Sequence, residues 1–254
     1  MIIPQGAWDD YIEALAKVNG TATEKVRKYI ETHEIETRED ISRLVDYAYG
    51  ISTYYGEAAA ELAAEMYDVM AEISGVEMDP AEPAETATYQ DAATAVFGAL
   101  KQAAAAILVP GAVGRLVKLA AQDTTIKNAR RDGVLIAWIP RGDTCPYCIM
   151  VAGEGWKHAS RATAEDGHAR HIHANCDCAF GVRFNEDTKY AGYDPDRYRA
   201  QYDRAEGGTQ EEKLNSMRRR FYAQNKERIN EQKRTAYARS KALEASSAEE
   251  TDVR

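Results

Sequence analysis

The chain has 254 residues, 44% of them hydrophobic, and a net charge of −9. That length holds one large domain or two small ones, and the apolar share is enough for a packed core. The acidic balance argues against a protein that binds DNA with its whole surface, and no apolar run approaches the ~18 residues of a membrane span.

The opening MIIPQGAWDDYIEAL has neither a basic first region nor an apolar signal core, so the chain is expected to stay in the cytosol where it is made. From residue 7 to about 130 the pattern is helical. Thr21 with Glu24, and Thr37 with Asp40, stand at capping-box spacing and are read as helix starts. From Ile41 the residues Leu44, Val45, Ala48, Ile51 and Tyr55 recur at steps of three and four, and Leu62, Met66 and Met70 extend the stripe. This predicts one long amphipathic helix, with Gly50 and Gly56 as candidate bends. Two prolines and several acids mark residues 75–86 as a loop. An alanine-rich helix is expected over about 88–108, and Pro110-Gly111 is read as the break before a last helix at about 112–130.

The period then changes. Residues 134–139, VLIAWI, and 178–184, CAFGVRF, read as short strands around a loop rich in Gly, Ala and His. Beyond Asn185 the chain is polar, Gly207-Gly208 marks a break, and a helical tail is expected from about Lys213. The fold class expected is mainly α with a small α+β zinc-stapled module. Residues 1–132 form the helical bundle, 133–184 the β-containing metal module, and 185–254 a polar linker and basic helical tail.

The four cysteines all lie between 145 and 178. A disulfide-stapled secreted domain spreads such residues more widely, so four thiols in one window point to a local site. Cys145-Pro146-Tyr147-Cys148 is the tetrapeptide of glutaredoxins. The sequence after Cys148 reads as too short and glycine-broken for the helix that lowers a redox thiol's pKa, and no βαβ pattern surrounds it. The spacing fits a metal better. Two Cys separated by two residues aim their thiolates at one ion, and a second pair from a distant loop closes a tetrahedron suited to Zn²⁺. The candidate ligands are Cys145 and Cys148, completed by two of His173, Cys176 and Cys178. His158, His168 and His171 are further candidates. Four protein ligands leave no open position, so such a site staples a fold and has no catalytic role.

The motifs GDTCPYC, GWKHASRATA and HIHANCDCAFGVRF, behind a helical region containing YYGEAAAELAAEMYD, together resemble phage Mu F-like minor head proteins. The resemblance covers about residues 40–184. The family carries a basic residue between its last two cysteines, where this chain has Asp177. The resemblance implies a non-enzymatic head-morphogenesis protein, present in the virion at the capsid interior or portal vertex. Its implied partners are the portal protein and other head proteins, and it implies a role in assembly or in DNA packaging and ejection.

The tail suits that setting. Residues 217–243 hold nine Lys or Arg and two acids, about +7, which leaves about −16 on the rest of the chain. Arg218, Arg219, Arg220, Lys226, Arg228, Lys233 and Arg234 are candidate contacts to packaged DNA by counterion release. Tyr222 and Tyr237 are placed to stack on bases or to pack. The same helix could equally dock on an acidic protein surface, this protein's own bundle included. The competing enzymatic reading is a zinc-containing HNH-like nuclease built on the His168, His171 and His173 cluster. No ββα pattern follows those histidines.

Overall fold

The computed structural model describes residues 2–102, 105–141, 144–160 and 178–251. Four helices form a bundle: α1 (Gln5–Thr32), α2 (Arg38–Ile73), α3 (Tyr89–Leu100) and α4 (Ala105–Asp132). Strand β1 (Ile2–Ile3) precedes them. After the bundle come β2 (Leu135–Ile139), α5 (Pro146–Ala152), β3 (Lys157–His158), β4 (Ala179–Arg183), β5 (Lys189–Tyr190), α6 (Pro195–Asp203) and α7 (Gln210–Thr251). Strands β3, β2 and β4 form one antiparallel sheet in that order, with Leu135 opposite Arg183 and Ile139 opposite Ala179. β1 and β5 pair in parallel.

The capping box at the head of α2 forms as the sequence predicts. Asp40 Oδ2 accepts the Thr37 N–H at 2.8 Å, and Thr37 Oγ1 accepts the Asp40 N–H at 3.1 Å. The Thr21 box does not form. Residue 21 lies mid-helix, its hydroxyl donating back to the Lys17 carbonyl at 2.9 Å. The stripe of Trp8, Tyr11, Ile12, Ala22 and Val26 buries one face of α1 across that point, and burial of this order outweighs a cap worth about 1 kcal/mol. Helix α2 likewise runs unbroken through both glycines. Gly56 serves packing instead, because a Cβ there would stand 3.1 Å from Thr86 Cγ2.

The break between the third and fourth helices is also displaced. α3 ends at Leu100, and Pro110 lies inside α4. Pro110 is past the first four N–H groups, so it removes one backbone bond from the helix, and burial along the same face offsets that loss. Val109, Val113, Leu116, Val117 and Ala120 are buried along one face through it.

The loop at 75–88 is an extended strap held against α2 and α4. Asp68 accepts the Ala81 N–H, Thr124 accepts the Ala84 N–H, and Arg131 donates to the carbonyls of Asp79 and Pro80. The bundle and the sheet share one buried cluster, which includes Trp8, Tyr67 and Met70 from helices and Trp138, Phe180, Val182 and Tyr190 from the strand region. The edge of β4 meets α4, where Gln122 Oε1 accepts the Phe180 N–H at 3.2 Å. The strand edge is thereby covered and its donor satisfied.

Candidate metal centre

The cysteine segment starts where β2 ends. Cys145 is the N-cap of α5, with extended backbone, and Pro146 occupies the first helical position. The Cys148 N–H points at Cys145 Sγ, 3.4 Å away. The sequence after this pair reads as too short and glycine-broken for a long helix, and the helix that forms has seven residues and ends at Gly153. It forms because Ile149, Val151 and Ala152 are buried while Gly153 caps the turn.

α6 fixes the helix from behind. A Cβ on Gly153 would stand 2.8 Å from the Arg199 backbone nitrogen, so only glycine allows this approach. The Arg199 side chain donates to the Gly153 carbonyl at 3.0 Å, and Tyr193 Oη donates to the Ala152 carbonyl at 2.9 Å. On its other side Ile149 is buried with Met217 of α7 and Ala205. Burial raises the Tyr147 and Tyr193 phenols above their usual range, with the Glu154 carboxylate among the groups adding to the shift.

Cys178 enters from the opposite side of the sheet ladder. Because Ile139 faces Ala179, the chain leaving β2 toward Cys145 and the chain arriving at β4 through Cys178 occupy the same end of the sheet. Cys148 and Cys178 are both buried in the shared core cluster, and Cys145 packs against it half-buried. All three are free of disulfide bonds. His168, His171, His173 and Cys176 lie outside the described residues. Among the described residues, no three His, Cys, Asp or Glu side chains converge as a group able to hold a metal. The chemistry of Cys145 and Cys148 fits the first half of a thiolate site, and His158 is exposed on β3.

Two features of this region were illegible in the sequence. Gly181 of β4 lies under the Tyr190 ring, and a Cβ there would fall 2.8 Å from Tyr190 Cζ and closer still to Ile139. The Tyr190 hydroxyl accepts the Val182 N–H at 2.8 Å and donates to the Val182 carbonyl at 3.1 Å, with Met70 Sδ beside it. A tyrosine thus substitutes for a neighbouring strand. Its phenol is raised, chiefly by burial.

The basic candidates lie on α7. A capping arrangement of Thr209 and Glu212 starts it, with Glu212 accepting the Gly208 N–H at 2.7 Å. Leu214 and Met217 are buried, whereas Arg218, Arg219, Arg220, Lys226, Arg228 and Arg234 are exposed. Arg220 pairs with Glu206 at 2.7 Å and Arg234 with Glu231 at 3.3 Å. The Lys233 and Tyr237 side chains lie outside the described residues. No described helix is long and apolar enough to cross a membrane.

No curated protein and no solved structure matches the chain. A family described as VG15 protein matches residues 2–205, the bundle and the cysteine module together, and stops short of α7. That span is most of the 254 residues, and the chain belongs to the VG15 protein family, a family of viral gene proteins.

Proposed function

We propose that this viral protein is a minor head protein of a phage, a non-enzymatic component of head morphogenesis that joins the portal vertex and leaves with or remains in the virion. The observation that carries this reading is the extent of the family match. It covers the bundle and the cysteine-bearing sheet together, and the motifs that resemble Mu F-like head proteins, over about residues 40–184, lie within it. In this reading Cys145 and Cys148, with two of His173, Cys176 and Cys178, hold a structural zinc that ties the segment joining β3 to β4 to the end of the sheet. The portal and other head proteins are the partners, and α7 supplies a cationic surface for a polyanionic one, packaged DNA among them.

The test is mass spectrometry of purified virions of the phage encoding the chain, with co-purification of its portal protein. Recovery of the chain in virions or procapsids together with portal is the expected result. Absence from both would sink the assignment.

The N-cap position of Cys145 favours one second reading, a thiol–disulfide pair. It separates from the first on metal content. Stoichiometric zinc supports the staple, whereas a metal-free protein with a reversible Cys145–Cys148 disulfide supports redox chemistry.

A further inference from the structure

Cys145 and Cys148 stand on α5, a helix of seven residues. A helix that short does not hold its shape in water by itself. The carbonyls of its last turn have no partner within the helix, so they need donors from outside. Those donors come from a stretch that the sequence reads as a polar linker. Tyr193 Oη donates to the Ala152 carbonyl at 2.9 Å, and Arg199 Nε donates to the Gly153 carbonyl at 3.0 Å. The Arg199 guanidinium also sets a positive charge at the C-terminal end of α5, the end that a helix dipole makes negative.

The donors are themselves fixed. Asp194 caps α6 by accepting the N–H groups of Asp196 and Arg197 at 3.0 and 3.3 Å, and Pro195 follows at the head of the helix. The Tyr193 ring meets Trp156 edge-on and stacks on Tyr198. At Gly153 the two backbones touch, because a Cβ there would stand 2.8 Å from the Arg199 nitrogen and 2.9 Å from its Cα. Ile149 is buried with Ala205 and Met217, and Tyr198 and Tyr202 pack around them. α5 is thus gripped at its C-terminal end and along one flank. Cys145 at the N-cap and Cys148, whose N–H points back at the Cys145 sulfur, are at the other end. The family match runs to residue 205, so it includes α6 with the cysteine pair.

We propose that Gly153, Tyr193 and Arg199 are positioning residues of the metal centre. Through them α6 sets α5, and with it the placement of Cys145 and Cys148, before any ion arrives. The inference rests on the zinc reading above and extends the site to residues well past the last cysteine. Ligands held in place bind an ion without first being ordered. Contacts that orient ligands in this way typically change metal affinity by about 10–100-fold when removed. The clamp therefore acts on zinc affinity, beyond any part it has in the stability of the metal-free fold.

The experiment measures the zinc affinity of the full-length chain by competition with a chromophoric chelator. The variants are Gly153→Ala, the double change Arg199→Ala with Tyr193→Phe, Arg199→Lys and Arg197→Ala. Circular dichroism and thermal melting of each metal-free variant check folding, and the double change decides the matter if Gly153→Ala does not fold. Gly153→Ala and the double change should each weaken zinc binding about tenfold or more. Arg199→Lys keeps a donor for the Gly153 carbonyl and should fall between the wild type and the double change. Arg197 is exposed on the same helix, and Arg197→Ala removes the same charge without removing that bond, so it should bind zinc as the wild type does. Unchanged zinc affinity in the double change overturns the proposal, even if its metal-free melting temperature falls, because the clamp is then structural alone. Equal weakening in Arg197→Ala assigns the effect to charge and also overturns it. A wild type that binds no zinc sinks the staple and this inference together, whereas a zinc-binding wild type indifferent to the clamp sinks this inference alone.

Discussion

Asn128 of α4 reads the backbone of Glu82 with both ends of its amide. Its Oδ1 accepts the Glu82 N–H at 2.9 Å, and its Nδ2 donates to the Glu82 carbonyl at 2.9 Å. Asn128 is 1% exposed. Two backbone groups of the extended strap are satisfied by one side chain, much as a strand would satisfy them. Replacing Asn128 with Leu leaves both short of a partner at a buried position, and the expected loss is about 2–4 kcal/mol. Urea unfolding measures it. Limited proteolysis should show cutting between residues 79 and 86 before global unfolding; equal protection in the variant and the wild type would refute the role.

Tyr67 and Asp132 make the second long-range tie. The fully buried Tyr67 donates to Asp132 Oδ2 at 2.7 Å, and Arg131 holds both oxygens of the same carboxylate. Burial, followed by the Asp132 bond, raises the Tyr67 phenol. Burial works to raise the Asp132 carboxyl, but the Arg131 and Tyr67 bonds prevail and hold it below its ordinary value. Tyr67→Phe removes one donor from a charged acceptor and should cost about 1.5–3 kcal/mol by denaturant unfolding. The Asp132 pKa should rise in the variant, which carbon-detected NMR reads directly.

The α2 cap sets an acid limit on stability. Thr37's hydroxyl, then its backbone N–H, hold the Asp40 carboxyl down at about 2, against an ordinary value of 3.8. A group depressed on folding stabilises above its unfolded pKa and loses that contribution as pH falls through the folded value. The contribution is therefore complete above pH of about 4 and gone by about 2. Asp40→Asn should flatten stability across that window and leave its slope near neutrality unchanged. A helix-melting series from pH 6 down to 2 decides it, since an unchanged acid limb in the variant removes the cap from the account.

Gly181 should tolerate no side chain. A Cβ would lie within 3 Å of both Ile139 and Tyr190, so Gly181→Ala forces the Tyr190 ring off Val182 and should cost about 1–3 kcal/mol. Near-ultraviolet circular dichroism should report loss of the aromatic packing of Tyr190 with Trp8. A melting temperature equal to wild type would show that the strand gives way more easily than its contacts suggest.

If the zinc staple holds, protein purified without chelator carries about one zinc per chain, and Cys145→Ser and Cys148→Ser each lose it. Chelation should then expose the segment between β3 and β4 to protease while the α-helical signal of the bundle persists. Metal-free protein with full protection there would leave Cys145 and Cys148 as packing residues.

The sequence by itself determined what depends on neighbours a few residues away. The α2 cap at Thr37, the amphipathic stripe from Leu44 to Met70, the two strands around residues 135 and 180, and the helical tail all follow from local spacing. So does the cysteine block, because the CxxC spacing is itself the signal. Where local signals competed with packing, only the tertiary structure decided. The Thr21 box lost to the buried face of α1, Pro110 was absorbed into α4 by the valine stripe on either side, and Cys145 gained a helix because Ile149, Val151 and Ala152 had a core to enter. The cover on β4 by Gln122 and Tyr190 and the grip of Asn128 on the strap join residues from 8 to 58 positions apart. Their energies come from burial and from satisfying backbone groups at a distance, which no local pattern encodes.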